Sequence, residues 1–427
     1  MNEDDLLVDR LSILPKPIIH HILSFLDISH VIQTCVLSRK FRDLWIDLHI
    51  INIDDGYWSN EHGFLLNDEF QKFVDNTLLQ RDNSNIQKFC LSWDRPPYDN
   101  HHIHDYMAKL VTWVICVVRR NVQQLHLQVR YMPPPCTFRY STSLKTLKLV
   151  NAWLPIQVES ESWFGPGLEI LIIENCQHHY PKILNVNSCR LKYLMVKNEV
   201  EDFVGSCELK ICAPNLTLLE CVGYMYKDYC LENLSSIDTV YLDTKVLSTA
   251  NMKESLGRCL NSILTGILCA NSLTLSVEGI QTSAELPTLS KSVPILFPHL
   301  KYLRLKEWRD NGYIHVLANL FGSFSCIETL VLDRTEGPYK SAKANWAKEL
   351  VANCIFCKLK SVRIQICKGC ENELRFIEYL LKNAPVLDSL TIITTKVHSG
   401  DTEELEDFSR KVRSLPRASS NAMILFP

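Results

Sequence analysis

Four cysteines near the C-terminal end, Cys354, Cys357, Cys367 and Cys370, make two C-x2-C pairs with nine residues between them. Four thiolates so arranged can hold a tetrahedral zinc ion, although the gap in zinc sites is usually longer. Here the gap carries alternating aliphatics, Leu359, Val362, Ile364 and Ile366, the signature of a strand that would hold the two pairs apart at its opposite ends. No metal is therefore expected. The histidine groups His20 and His21, His101, His102 and His104, and His178 and His179 read as surface or capping residues. The sequence contains no Walker loop, no G-x-G-x-x-G, no G-x-S-x-G and no H-E-x-x-H, the motifs that cradle phosphates or nucleotides, present a nucleophilic serine or bind a catalytic zinc. A dispersed catalytic triad is recognised by geometry and not by spacing, so the expectation from motifs is a chain without cofactor or catalytic residues.

Composition narrows the class further. Lys and Arg total 45 against 48 Asp and Glu in 427 residues, a net charge of -3, which argues against a dedicated nucleic-acid binder. The apolar run from Val111 to Val118, broken by Thr112, is well short of the ~20 residues that cross a bilayer, so no membrane partner is expected. The N-terminus, Met1-Asn2-Glu3-Asp4-Asp5, is acidic where an export signal would be basic. The 17 cysteines then read as reduced thiols of the nucleus or cytoplasm, many of them small core residues.

Positioning elements come next. From Leu14 to Leu26 apolar residues fall at 14, 18, 19, 22, 23, 25 and 26, a wide helical stripe, with Pro15 and Pro17 in the first turn where a missing N–H costs nothing. A second helical run spans Val31 to Leu37 after a break at Asp27 to His30, and Phe41, Leu44 and Trp45 continue the apolar pattern. A block of under about 40 residues cannot bury this much apolar surface by itself. Some of it must cap the following chain or face a partner.

Asp9-Arg10-Leu11-Ser12, Leu14-Pro15, ILSFL at 22–26, TCVLSRKF at 34–41 and Leu44-Trp45 resemble the F-box of plant proteins. The resemblance implies docking onto a Skp1-type adaptor within a cullin-based ubiquitin ligase. Position by position, it places Leu14, Pro15, Ile18, Ile22, Leu23, Leu26, Val36, Leu37 and Ser38 on the adaptor face. Two positions depart from the family pattern: Lys16 stands where an acidic residue is usual, and Lys40-Phe41 where a basic residue is followed by Trp.

Beyond this block one pattern recurs: an aliphatic, two other residues, an aliphatic, one other, an aliphatic. Clear copies begin at Leu144, Leu168, Leu191, Leu216, Ile237, Leu300, Ile327, Leu359 and Leu387, with weaker ones at Ile86 and Val122 and around Leu273. Successive starts from 144 to 237 are 24, 23, 25 and 21 residues apart, within the range of leucine-rich repeats. Alternation at period two buries one set of side chains and exposes the other, so each unit supplies a short strand to a stacked parallel sheet and depends on its neighbours for burial. The stretch from Cys357 to Ile392 resembles the FBD region of plant F-box proteins. It reads as strand, helix with apolar positions 374, 377, 380 and 381, a stop at Asn383 to Pro385, then strand.

The expected fold is α/β: a short N-terminal helical F-box followed by an irregular leucine-rich-repeat solenoid with a parallel sheet on its concave face. The expected divisions are 6–48 F-box, 49–142 linker and first degenerate repeats, 143–353 solenoid, 354–395 FBD-like cap and 396–427 flexible tail. The central residue of each triplet should project from the sheet, which puts Lys148, Met195, Glu220, Tyr241, Arg304 and Arg363 in reach of a target protein. The resemblance implies the substrate-recognition subunit of a Skp1-cullin-F-box ubiquitin ligase, and the alternative is a protein-interaction scaffold whose F-box is vestigial.

Overall fold

Every aliphatic triplet whose residues are described becomes a buried strand. The computed structural model describes residues 13–58, 67–82, 84–94, 103–138, 141–154, 165–178, 183–200, 207–245, 250–276, 297–308, 326–334, 356–367, 371–394 and 402–427. The chain divides into two units, Met1–Leu191 and Lys192–Pro427, so the division falls within the run expected as a single solenoid.

In the first unit, helix α1 (Lys16–Leu23) follows Pro15, and α2 (Ile28–Gln33) opens on Asp27, whose side chain accepts from the Ser29 amide at 2.7 Å. A side-chain oxygen at this position satisfies one of the amides a helix start leaves unpaired. A 3₁₀ turn covers Thr34–Val36. The strands are β1 (Ile50–Asp54), β2 (Lys88–Trp93), β3 (Gln124–Val129), β4 (Thr146–Val150), β5 (Trp153–Leu154), β6 (Ile170–Glu174), β7 (Gln177–His178) and β8 (Ile183–Asn187). β1, β2, β3, β4 and β6 pair in that order, all parallel, while β5 pairs with β7. Parallel neighbours require crossovers, and α3 (Asn67–Gln80) and α4 (Ile103–Arg119) supply the first two. The segment expected as linker and first degenerate repeats contributes β1, β2 and β3 to this sheet, with β1 at its edge.

Register explains why this stack is stable. Ile51, Phe89, Leu125, Leu147 and Leu171 sit side by side across the strands, as do Ile53, Leu91, Leu127, Leu149 and Ile173, and all are buried. Two continuous apolar rows therefore face the core. Against them α4 lays Tyr106, Leu110, Trp113, Val114 and Val117, a spacing that keeps one face of the helix inward. Trp93 stacks within 4.1 Å of Tyr106 and 4.8 Å of Trp113. Trp113 Nε1 donates to Asp75 of α3 at 2.7 Å, so the polar edge of the indole is satisfied inside the cluster.

The second unit repeats the arrangement. Its strands are β9 (Tyr193–Asn198), β10 (Glu208–Cys212), β11 (Leu218–Tyr224), β12 (Asp228–Glu232), β13 (Thr239–Lys245), β14 (Ser272–Ser276), β15 (Tyr302–Trp308), β16 (Thr329–Arg334), β17 (Ser361–Cys367), β18 (Ser389–Thr394) and β19 (Met423–Leu425). β9, β11 and then β13 to β19 pair successively in parallel, and β10 pairs with β12 as a second layer. Helix α5 (Ala250–Gly266) packs on β12 through Gly266, where a Cβ would stand 2.4 Å from Leu231. Helix α6 (Glu371–Asn383) buries Phe376, Ile377, Leu380 and Leu381 between β17 and β18, the order expected for the FBD region.

One expectation is corrected. Residues 402–427 are not a frayed tail: α7 (Thr402–Ser414) buries Phe408 and Val412, Ala422 is also buried, and β19 extends the sheet. The segment is polar on average, but its few apolar residues share one face, which is enough to dock a helix.

Chain reversals use residues that tolerate left-handed backbone. Asn121, Asn151, Asn175 and Asn233 have φ between 51° and 57°, a region Asn enters more readily than most residues. Gly223 has φ +90°, and a Cβ there would stand 1.9 Å from the Asn198 carbonyl oxygen. Gly223→Ala should lower the stability of the protein by about 3 kcal/mol or more, read as a shift of the denaturant midpoint. An unchanged midpoint would show that this close approach relaxes freely.

Candidate functional site

The N-terminal helices divide their apolar residues between two directions. Ile19 and Leu23 of α1, Ile28 and Val31 of α2, and Phe41, Leu44, Trp45 and Leu48 beyond them are buried. Ile13, Ile18, Ile22, Phe25, Leu26, Val36 and Leu37 are exposed, Val36 to 88%. They are seven of the thirteen large apolar side chains that stand exposed among the described residues. Such a concentration within one short stretch marks an interaction surface, since scattered single residues are the rule elsewhere.

Of the nine residues that the resemblance assigns to the adaptor, Pro15, Ile18, Ile22, Leu26, Val36 and Leu37 are exposed, and Leu14 and Ser38 are half-buried. Leu23 is buried with Ile19 on the inward side of α1 and does not join the outward face. The two departures from the family pattern have structural partners. Lys16 pairs with Asp47 at 2.5 Å, and Lys40 donates to the Leu14 carbonyl at 2.8 Å. Phe41 is buried in the core.

Polar contacts fasten this block to the first strands. Arg81, just after α3, donates to the carbonyls of Trp45 (2.8 Å) and Leu48. Its guanidinium is buried, and that burial brings its pKa down to about 10. Asn52 of β1 donates to the carbonyls of Ser24 (2.8 Å) and Leu26 (3.3 Å). Asp27 accepts the Asp54 amide at 2.8 Å as well as Ser29. Asn52 and Arg81 lie in stretches similar to the plant proteins, INID at 51–54 and FQKFVDNTLLQRD at 70–82, but spacing assigned neither a role. Each is legible only once β1 and α3 are in place.

On the strands, the central triplet positions form one row per unit. In the first unit, register aligns Asn52, Cys90, His126, Lys148 and Ile172. In the second it aligns Met195, Glu220, Tyr241, Thr274, Arg304, Val331, Arg363 and Thr391. The sheet thus brings five of the six expected target contacts into the second row, and Lys148 into the first. Most of the charged ones are already paired. Lys148 bonds Glu174 at 2.9 Å, and the Tyr193 hydroxyl donates to Glu220 at 3.1 Å. The Tyr241 hydroxyl donates to Asp243 at 2.8 Å and accepts from Lys306 at 2.7 Å, and Arg304 holds Asp333 at 2.5 Å. Arg363 is exposed.

A cavity of about 420 Å³ opens in the first unit where the N-terminal block meets the outward row. Phe25, Asp27 and Tyr57 line one side, and Asn52, Cys90, Ser92, His126, Gln128 and Lys148 line the sheet side. Cys90 Sγ lies 3.6 Å from His126 Nδ1. Burial, aided by Lys88 and Lys148, lowers the His126 pKa to about 4, so the ring is neutral near pH 7. Burial also raises the Cys90 pKa. Cys176 and Cys221, deep in the core, are pushed up to about 12 for the same reason, which makes them inert apolar filling.

Among the described residues no group of three or more His, Cys, Asp or Glu is placed to hold a metal ion. Of the four cysteines in the paired motif, Cys354 and Cys370 lie outside the described residues, and Cys357 is exposed. No described helix is long and apolar enough to cross a membrane.

Arg81→Ala should leave two buried carbonyls unsatisfied, at about 1–3 kcal/mol each. Amide exchange is then expected to quicken within residues 14–48 while β2 to β4 keep their protection. Uniform loss across the unit would assign Arg81 to the whole core instead. For His126, a folded pKa below the unfolded value means that only the unfolded state takes up the proton between about pH 6.5 and pH 4. That contribution is present above pH 6.5 and is lost as pH falls toward 4. His126→Gln should therefore flatten the stability profile in this window. His20, whose pKa burial also lowers, acts in the same direction and remains in the variant.

Comparison with known proteins agrees with the geometry. The family model of the F-box domain matches residues 11–52 and that of FBD matches residues 349–392. An F-box/LRR-repeat protein of Arabidopsis thaliana is 25% identical over 96% of this chain and 86% of its own. An F-box/FBD/LRR-repeat protein of the same plant is 24% identical over 95% of this chain and 98% of its own. The chain thus carries matches to the F-box and FBD domain models near its two ends, and the relatives it resembles over nearly its whole length are plant F-box/LRR-repeat and F-box/FBD/LRR-repeat proteins.

Proposed function

We propose that this protein is a non-catalytic substrate-recognition subunit of a Skp1-cullin-F-box ubiquitin ligase. The observation that carries the reading is the exposed apolar face of residues 13–37. An F-box that packed all its aliphatics inward would have nothing to offer a partner. This one holds Ile18, Ile22, Val36 and Leu37 outside while the buried half anchors it to the first strands. Helices that present aliphatic anchors to a groove are a common mode of recognition, and a few central anchors carry most of such an affinity. The sheet rows hold a target protein, and ubiquitin transfer gains from the raised local concentration of target lysines near the conjugating enzyme. The protein acts in the nucleus or cytoplasm, where thiols stay reduced; fourteen of the described cysteines are free.

The test is affinity for a purified Skp1-type adaptor. Because Ile18 and Val36 are exposed, Ile18→Asp with Val36→Asp should leave the melting transition in place. Loss of two anchors at about 2 kcal/mol or more each should weaken adaptor binding at least 100-fold. Binding that survives the double change would remove this face from the interface. A wild-type chain that binds no Skp1-type adaptor would instead favour a scaffold with a vestigial F-box.

A further inference from the structure

The exposed apolar surface of the first unit does not stop at residue 52, where the F-box match ends. Along α1, Ile18 and Ile22 are followed on the same face by Phe25, which is 74% exposed. The turn after the helix continues it, with the amides of Phe25 and Leu26 donating to the carbonyls of Ile22 (3.3 Å) and Leu23 (3.1 Å), and residues at i, i+4 and i+7 share one helix face. Tyr57 is 61% exposed and lines the same cavity as Phe25. The five remaining large apolar side chains that stand exposed among the described residues, Leu79, Val200, Val386, Met423 and Leu425, are scattered along the chain.

Tyr57 is held in place although most of its ring is in water. It sits in a 3₁₀ turn (Asp55–Trp58) directly after β1. Asp55 is buried, and the Trp58 ring packs 4.7 Å from that of Phe73 on α3. His30 of α2 meets the Tyr57 ring edge-on at 4.7 Å, and His21 of α1 meets Phe25 in the same way at 4.9 Å. The turn is also tied to the F-box, since Asp27 accepts the Asp54 amide and Asp54 accepts the Gly56 amide, both at 2.8 Å. Keeping large apolar rings in water contributes nothing to the fold. A ring already fixed loses little freedom when a partner covers it, and tyrosine is among the residues that most often carry binding energy.

We propose that the Skp1-type adaptor reaches past the F-box onto the first unit, and that Tyr57, together with Phe25, anchors it there through an apolar side chain of the adaptor that covers the two rings. The inference deepens the ligase reading and rests on it. Continuity favours this occupant: a body seated on Ile18 and Ile22 meets Phe25 within the next turn and Tyr57 beyond it. So does size, since a standard interface takes about 20–30 residues a side, whereas the F-box offers seven exposed large apolar ones. Contact at Tyr57 is a second point of attachment, through which the adaptor orients β1 directly and not only through the hydrogen bonds of Arg81 and Asn52 to the F-box.

The experiment measures the affinity of the full chain for a purified Skp1-type adaptor by titration calorimetry. Tyr57→Ala and Phe25→Ala should each weaken binding at least tenfold and leave the melting transition in place, because both side chains are mostly in water. Tyr57→Phe should keep most of the affinity. Met423→Ala on β19, equally exposed, is the control and should change nothing. As a readout independent of folding energy, a photo-activated p-benzoylphenylalanine placed at position 57 should attach to the adaptor, and one placed at position 423 should not. Wild-type affinity in Tyr57→Ala, or no adaptor adduct from position 57, overturns the inference. If Ile18→Asp with Val36→Asp still abolishes binding in the same assay, the ligase reading stands without it. A wild-type chain with no adaptor affinity overturns both.

Discussion

Everything in this protein rests on aliphatic side chains that can leave water only in company. A single strand such as Thr146–Val150 offers Leu147 and Leu149 to the core, and by itself it would leave one side of each in solvent. In register, Leu147 lies between Leu125 and Leu171, and Leu149 between Leu127 and Ile173. Fully burying one such side chain contributes about 1.5–3 kcal/mol, and the neighbours on both sides are what complete the burial. Stability is therefore a property of adjacent pairs of strands. The outward positions contribute little to it, which is why they can carry residues as different as Cys90, Lys148, Met195 and Arg304 in one architecture.

The F-box is attached by a different kind of force. Its inward apolar residues pack against the start of the first unit, but the geometry is set by polar contacts: Arg81 to the carbonyls of Trp45 and Leu48, Asn52 to those of Ser24 and Leu26, and Asp27 to the Asp54 amide. Hydrogen bonds are directional where apolar burial is not. A block of a few short helices can thus be oriented with little buried area and still spare its other face. Lys16 and Lys40 fit the same logic, since both are engaged with Asp47 and the Leu14 carbonyl and leave the aliphatic face uncrossed.

The aliphatic triplets were readable in the sequence because period-two alternation is local, and even the weak copies at Ile86 and Val122 form strands as well buried as Leu144–Leu149. What escaped was non-local. The tail from Thr402 to Leu425 looks polar because docking a helix needs only Phe408 and Val412 on one side. The pairing of β10 with β12 lies outside the triplet pattern and depends on which segments the main sheet brings alongside. The inward position of Leu23 was hidden for another reason: a stripe as wide as that of residues 14–26 covers both faces, and spacing alone does not say which half meets the core. The cavity is the extreme case, since Phe25, Tyr57, Cys90 and His126 come from four separate stretches of chain.

The two outward rows differ in a way that bears on recognition. In the second unit the Tyr241–Asp243–Lys306 cluster is tied together and Arg304 holds Asp333 through Oδ2, so a partner that displaced these contacts would lose nearly as much as it gained. Such rows resist adventitious association, and exposed strands without that protection invite it. In the first unit the row beside the F-box is tied more sparsely: Lys148 bonds Glu174, Cys90 Sγ lies 3.6 Å from His126 Nδ1, and burial holds His126 neutral near pH 7. A protein built from interchangeable strands can thus vary the ties along its outward rows without departing from the repeat that stabilises it.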